Sequence, residues 1–104
     1  MDINVQELKE RLASGDDKFI FIDVREPHEY DEFNLGAKLI PLGDVPAALE
    51  NLDGFRSEEI IIHCRSGKRS ATAQAFMQQA GFTNVRNLEG GVLAWIDSFG
   101  AVKP

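Results

Sequence analysis

Residues 60–70 read Ile60-Ile61-Ile62-His63-Cys64-Arg65-Ser66-Gly67-Lys68-Arg69-Ser70. In this stretch an unbroken apolar run is followed directly by a basic loop that contains a glycine. Three consecutive isoleucines predict a strand that is buried on both faces of its sheet. A second apolar run, at residues 19–22, predicts another strand of the same kind. A buried strand that turns through a short loop into a helix is typical of α/β proteins, in which ligands bind beyond the carboxyl ends of the strands.

The rest of the chain alternates between helix and strand signals. Asn4 and Glu7 have the spacing of a capping box, which predicts a first helix that ends near Gly15. The other predicted elements are helices at 27–33, from about 46, at 70–80 and at 92–99, and strands at 37–40 and 85–88. Strands joined by helical crossovers imply a mostly parallel sheet with helices on both faces.

Length and composition exclude several classes of function. The chain has 104 residues and a net charge of −6, so we expect one domain over 1–104 with no nucleic-acid or anionic-membrane partner. No apolar run is long enough to span a bilayer, and the N-terminus lacks the pattern of a signal peptide, so a cytoplasmic location is expected. One cysteine and two histidines exclude an internal disulfide and argue against a metal site, so no metal or cofactor is expected.

Cys64 is the strongest candidate for chemistry. It follows the 60–63 strand, and three basic residues occur within the next five positions of an otherwise acidic chain. Nearby cations and a helix N-terminus lower the pKa of a thiol, and the thiolate is the reactive form. Gly67 allows the backbone to turn its N–H groups toward the sulfur, and Ser70 is a natural N-cap for the next helix. A lone cysteine is ordinarily a buried core residue, but these features favour function.

These segments together resemble a single-domain rhodanese, a member of the sulfurtransferase family, over nearly all of the chain. The resemblance is carried by four segments: Ile22–Pro27 (Ile-Asp-Val-Arg-Glu-Pro), Gly36-Ala37 with Ile40-Pro41-Leu42, the Cys64–Ser70 loop, and Gly90-Gly91 with Trp95. It implies a three-layer α/β/α fold with a central, mostly parallel sheet of five strands, of which the fifth would be very short and lie at Ile3.

The resemblance implies a sulfurtransferase in which Cys64 is the catalytic nucleophile. Cys64 would take a sulfane sulfur from thiosulfate or another small anionic persulfide donor and pass it to an external thiol, to cyanide or to a protein acceptor. The substrate-binding and persulfide-binding loop would consist of Arg65, Ser66, Gly67, Lys68 and Arg69. Their backbone N–H groups would stabilise the persulfide anion, and their cations would attract the donor.

The sequence leaves two other functions open. A persulfide carrier or a rhodanese-like interaction module with little turnover would keep the same cysteine and loop. A cysteine phosphatase or arsenate reductase has five residues between its cysteine and arginine, whereas four separate Cys64 from Arg69. The resemblance implies that the shorter loop suits a sulfane sulfur.

Several polar residues have both a structural and a functional interpretation. Asp23 lies near the expected site as a supporting residue but would equally cap the helix at Pro27. Arg25 could reach the pocket, although pairing with Glu26 or Glu29 is favoured. His63 is next to Cys64, but adjacent strand residues point to opposite faces, so no direct contact with the thiol is expected. Core packing is the favoured role of Trp95, and His28 is expected to be exposed.

Overall fold

The computed structural model describes residues 1–104 and has a parallel four-stranded sheet at its centre. The strands are β1 (Ile20–Asp23), β2 (Lys38–Leu39), β3 (Ile60–His63) and β4 (Val85–Asn87), in the spatial order β2-β1-β3-β4. The helices are α1 (Val5–Ser14), α2 (Pro27–Glu32), α3 (Val45–Ala48), α4 (Lys68–Gln79) and α5 (Gly91–Phe99), with 3₁₀ turns at Leu42–Asp44 and Asp53–Phe55. The predicted α/β class and parallel sheet are confirmed.

The prediction of a fifth strand is wrong. Ile3 lies at the expected place and forms a parallel bridge with Leu88, but the pairing stops after this one residue. Asn4 already serves as the N-cap of α1, since its side chain accepts a hydrogen bond from the Glu7 backbone N–H over 2.8 Å. The chain therefore turns into a helix before a strand can extend.

Two apolar cores lie on opposite faces of the sheet. In β3, Ile60 and Ile62 belong to one core with Met77 of α4, while Ile61 belongs to the other with Trp95 of α5. This alternation follows from the two-residue repeat of a strand, and all four β3 residues are buried. The sheet is therefore covered on both faces, as the apolar run predicts, and the core role of Trp95 is confirmed.

Helix α4 begins two residues earlier than predicted. Gly67, at φ 104°, is its N-cap, so the prediction that Ser70 caps the helix is wrong. Glycine tolerates this left-handed conformation, so the helix begins at Lys68 and Ser70 lies in its first turn. There the Ser70 side chain is fully buried and faces the cysteine loop. None of the helices is long and apolar enough to cross a membrane.

Candidate active site

Cys64 follows the last residue of β3 at the carboxyl end of the sheet, and only 1% of its surface is exposed. The next residues curl around its sulfur. The Gly67 backbone N–H donates to Sγ over 3.1 Å, and the backbone N–H groups of Ser66 and Ser70 also help to lower the pKa of the thiol. The Ser70 hydroxyl lies 3.4 Å from the same atom. The loop thus surrounds the sulfur with hydrogen-bond donors.

These donors offset the cost of burying a charged sulfur. Burial raises the pKa of the Cys64 thiol, but hydrogen bonds from the Ser70 side chain and from the backbone of Ser70, Gly67 and Ser66 lower it by more, so the pKa lies below its ordinary value. The N-terminus of α4 starts four residues after the cysteine and favours negative charge in the same place. This arrangement stabilises an anion on or next to the sulfur.

The N-terminus of α5 fixes the cysteine loop in position. The Val92 and Leu93 backbone N–H groups each donate over 3.0 Å to the carbonyl oxygens of Cys64 and Arg65, respectively. This contact requires glycine at position 91, because a Cβ there would collide with both carbonyl groups, and its φ is +56°. The Gly-Gly pair seen in the sequence therefore has a physical role as the support of the loop.

The loop cations differ in whether they are paired. The Arg69 guanidinium forms a bidentate pair with the Glu29 carboxylate, Nη1–Oε1 2.6 Å and Nη2–Oε2 2.9 Å. Arg65 and Lys68 are exposed and form no ion pair. The pair shifts the pKa of Glu29 to about 2, chiefly through the hydrogen bond from Arg69. The carboxylate thus compensates the charge of Arg69, while Arg65 and Lys68 keep theirs.

Asp23 and Arg25 form a buried ion pair at the end of β1 (Nη2–Oδ2 2.8 Å). The structural roles predicted for these two residues, a helix cap for Asp23 and an ion pair with a glutamate for Arg25, are wrong. Glu26, rather than Asp23, is the N-cap of α2, and Arg25 pairs with Asp23 rather than with a glutamate. The Arg25 guanidinium also donates to the carbonyl oxygens of Glu29 and Phe33. A two-residue spacing at a strand end brings the two charges together and leaves the guanidinium directed at the end of α2.

His63 lies behind the site, on the other face of the sheet. Its ring packs against Phe21, with 5.3 Å between ring centroids, and Nδ1 lies 3.3 Å from the Cys64 carbonyl oxygen. The prediction that it does not contact the thiol is confirmed, as is the exposure of His28. Burial lowers the pKa of His63, against the opposing effect of Asp23. No group of His, Cys, Asp and Glu side chains is arranged to hold a metal ion.

Two residues of the site were not found from the sequence. Asn87, the last residue of β4, accepts a hydrogen bond from the Ser70 hydroxyl over 2.6 Å and donates to the Gly67 carbonyl oxygen over 3.1 Å. Its place at a strand end beside β3 was the available signal. Glu29 was expected only as a partner of Arg25; its pairing with Arg69 joins residues that are 40 apart in sequence, and nothing in the local pattern indicates it.

Comparisons with known proteins agree with this geometry. The chain matches the Rhodanese family, described as a rhodanese-like domain, over residues 4–98. It is 37% identical over 95 residues to a Bacillus subtilis protein named "Putative sulfurtransferase YtwF", covering 90% of this chain and 88% of the relative. A second B. subtilis protein, named "Putative sulfur carrier protein YrkF", is 35% identical over 90% of this chain and 50% of the relative.

A solved structure gives the same result for the fold. The rhodanese-related protein of Thermoplasma volcanium superposes with a TM-score of 0.80 at 29% identity, covering 99% of this chain and 94% of the other. The chain belongs to the rhodanese-like domain family, in which its relatives are named as sulfurtransferases and as a sulfur carrier protein.

Proposed function

We propose that this protein, as a single domain over 1–104, transfers a sulfane sulfur from thiosulfate or a persulfide donor to a thiophilic acceptor through a Cys64 persulfide. In the first half-reaction the Cys64 thiolate attacks the outer sulfur of thiosulfate, the S–S bond of the donor breaks, and sulfite leaves with the electron pair of that bond. In the second, cyanide or a thiolate attacks the terminal sulfur of the persulfide, and Cys64 leaves as a thiolate. Splitting one transfer into two steps in this way is covalent catalysis.

The observation that carries this proposal is the set of donors around Cys64 Sγ. The Gly67 backbone N–H and the Ser70 hydroxyl lie 3.1 and 3.4 Å from the sulfur, the backbone N–H groups of Ser66 and Ser70 help to lower the pKa of the thiol, and such preorganised donors stabilise an anion at low cost. In the proposed persulfide these groups and the N–H groups of Arg65, Lys68 and Arg69 would surround the terminal sulfur. The unpaired charges of Arg65 and Lys68 would attract an anionic donor.

The acceptor must come from outside the chain, because Cys64 is the only cysteine. A groove of about 160 Å³ lies beside the loop and is lined by Arg65 and by the half-exposed side chains of Leu93 and Ile96. Apolar side chains at the rim of a charged site support a protein thiol as one acceptor, in addition to small molecules. Because Cys64 must stay reduced to act as a nucleophile, we favour a location in a reducing compartment such as the cytoplasm.

A second candidate is a persulfide carrier that loads sulfur and passes it on stoichiometrically, without efficient turnover. The similarity to a relative named as a sulfur carrier favours it. Both candidates form the same Cys64 persulfide and differ in the rate of the second half-reaction. Kinetic turnover with a small acceptor therefore separates them.

Intact mass spectrometry tests the proposal directly. The purified protein is incubated with thiosulfate, and then with cyanide, with Cys64→Ser as the matched control. We expect a gain of one sulfur atom that is lost as thiocyanate forms, and no gain in the control. Loading without catalytic thiocyanate production would favour the carrier. The mechanism would be refuted if the protein gained no sulfur from thiosulfate or from glutathione persulfide, or if Cys64→Ser transferred sulfur as well as the wild type.

A further inference from the structure

A buried chain of hydrogen bonds connects the Cys64 sulfur to the end of β4. Ser70 Oγ lies 3.4 Å from Cys64 Sγ and 2.6 Å from Asn87 Oδ1. Asn87 Nδ2 in turn donates to the Gly67 carbonyl oxygen over 3.1 Å. Ser70 and Asn87 are 0% and 8% exposed. Each hydrogen in this chain therefore has few alternative partners, and the state of one group constrains the next.

The carbonyl of Gly67 determines which way the Asn87 amide points. A backbone carbonyl oxygen only accepts hydrogen bonds, so the Asn87 atom that faces it must be the nitrogen. The amide oxygen then faces Ser70, and an amide oxygen also only accepts. The Ser70 hydroxyl therefore donates its hydrogen to Asn87 Oδ1 over the 2.6 Å contact.

This assignment matters because a hydroxyl group has a single hydrogen. When Cys64 is a thiol, its S–H can donate to Ser70 Oγ while Ser70 donates to Asn87, and all three groups are satisfied. When Cys64 is a thiolate, its sulfur only accepts, so Cys64 and Asn87 compete for the same Ser70 hydrogen. Hydrogen bonds to a charged acceptor are the stronger ones, which favours the sulfur.

We propose that Ser70 and Asn87 form a hydrogen-bond switch that responds to the charge of Cys64. Asn87 holds the Ser70 hydrogen while Cys64 is neutral, and the hydroxyl turns onto the sulfur when Cys64 becomes a thiolate. Asn87 is a positioning residue in this switch, because it acts on the sulfur through Ser70. By competing for the hydrogen, it withholds part of the stabilisation that Ser70 can give to the thiolate.

The switch has a consequence that rests on the proposed function. In a Cys64 persulfide the negative charge lies on the terminal sulfur, and Sγ becomes a neutral, two-coordinate atom. The Ser70 hydrogen then returns to Asn87, so that the inner sulfur gives up a hydrogen bond in the loaded state. The same hydroxyl supports the thiolate again when the acceptor removes the sulfur and Cys64 leaves.

Other charged groups near the loop must stay constant in a test. Those on the loop and the surrounding elements are Arg65, Lys68 and Arg69, Glu29 of α2, Asp23 at the end of β1 and Arg25 after it, His63 of β3, Asp44 before α3, and Glu89 after β4. Substitutions of Ser70 and Asn87 change none of these charges. A shift in the cysteine titration in such variants therefore reports on the hydrogen bonds.

The experiment is a titration of Cys64, followed by the ultraviolet absorbance of the thiolate and by the rate of alkylation with iodoacetamide against pH. Because the chain has one cysteine, the signal belongs to Cys64. We expect Ser70→Ala to raise the pKa, with about tenfold less thiolate at a fixed pH below it, since one unit is a factor of ten. We expect Asn87→Ala to lower the pKa, by up to about one unit, and to have no effect when combined with Ser70→Ala.

The sign of the Asn87→Ala shift decides the proposal. If Asn87 only supports the loop through Gly67, its removal loosens the donors around the sulfur and the pKa rises. A raised or unchanged pKa, or a shift that persists in the Ser70→Ala background, overturns the switch. Asn84→Ala, at an exposed asparagine next to β4, is the matched control and should leave the titration unchanged.

A second measurement covers the case in which Asn87→Ala does not fold. In the wild-type protein the side-chain amide resonances of Asn87 should shift with pH at the midpoint of the Cys64 titration, and Ser70→Ala should at least halve that shift. An undiminished shift in Ser70→Ala overturns the proposal. None of these measurements uses a sulfur donor, so their outcome is separate from that of the sulfurtransferase test.

Discussion

Arg69 and Glu29 are joined by a bidentate ion pair, with Nη1–Oε1 and Nη2–Oε2 distances of 2.6 and 2.9 Å. The pair links the first turn of α4, directly behind the cysteine loop, to α2. Because the pKa of Glu29 is about 2, the carboxylate remains ionised at any pH at which the protein is expected to work. Arg69 is thus a structural cation with a compensated charge, and the free positive charge of the loop belongs to Arg65 and Lys68.

Removing Arg69 alone should impair the use of an anionic donor, because it leaves the Glu29 carboxylate uncompensated near the site. We expect Arg69→Ala to raise the KM for thiosulfate about threefold, on the scale of one partly screened charge. The double variant Arg69→Ala/Glu29→Gln should return the KM to within about twofold of wild type. Steady-state kinetics at low salt measure both. A double variant as impaired as Arg69→Ala would mean that Arg69 contacts the donor itself.

The unpaired cations should have a larger effect. We expect Arg65→Ala and Lys68→Ala each to raise the thiosulfate KM about three- to tenfold at low ionic strength, with the difference shrinking as salt screens the charges. Arg56→Ala is the matched control, since Arg56 is an exposed arginine paired with Asp53, and its side chain lies near Gly81, beyond the opposite end of α4. An effect of Arg65→Ala that is independent of salt, or equal to that of Arg56→Ala, would contradict an electrostatic role.

His63 should make the fold less stable in mild acid. Its pKa in the folded state lies below the ordinary value of 6.5, because burial penalises the charged ring. The unfolded chain therefore binds a proton more readily in this range, and the free energy of unfolding falls as the pH drops below about 6.5, by at most about 1.4 kcal/mol per pH unit. Urea unfolding between pH 7.5 and pH 5 measures the slope.

The His63→Asn variant should flatten that slope, since it removes the titrating group while keeping an amide nitrogen near the Cys64 carbonyl oxygen. His28→Ala, at an exposed histidine, is the control and should keep the wild-type slope. The slope and not the absolute stability is the readout, because any change at a buried position costs some stability. The pKa values of Glu29 and Glu59, about 2 against an ordinary 4.5, place their effect at lower pH. An unchanged slope in His63→Asn would refute this assignment.

Most of the fold was predictable because its signals are local. The apolar runs around Ile22 and Ile62 indicate strands without reference to any distant residue, and Gly15 and Gly81 mark helix ends through the left-handed backbone that each adopts. The missing fifth strand depended on a competition at Ile3 and Asn4, where the helix cap prevails over further pairing. The sequence contains both signals but not their relative strength.

The candidate site was predictable to the extent that it lies in one loop. Cys64, Gly67 and the basic residues are contiguous, so their chemistry is visible in the sequence. The partners that determine how these groups behave are distant in sequence. Glu29 neutralises Arg69, and Asn87 engages Ser70, through contacts that exist only after β1, β3 and β4 have paired. The difference between a free and a compensated cation is therefore a tertiary property.

Gly91 provides the sharpest test of how the loop is supported. A Cβ at this position would collide with the Cys64 and Arg65 carbonyl groups, in addition to the strain of φ +56°. We expect Gly91→Ala to lower the free energy of unfolding by about 2 kcal/mol or more and to raise the pKa of Cys64, because the displaced loop aims its N–H groups less well.

Gly15→Ala is the matched control: its φ is +80° but its Cβ meets nothing within 4 Å, so we expect a loss of about 1 kcal/mol and an unchanged cysteine titration. Chemical unfolding and the alkylation rate of the single thiol measure the two effects separately. If Gly91→Ala matched Gly15→Ala in both, the contact between α5 and the loop would not be what holds the donors around the sulfur.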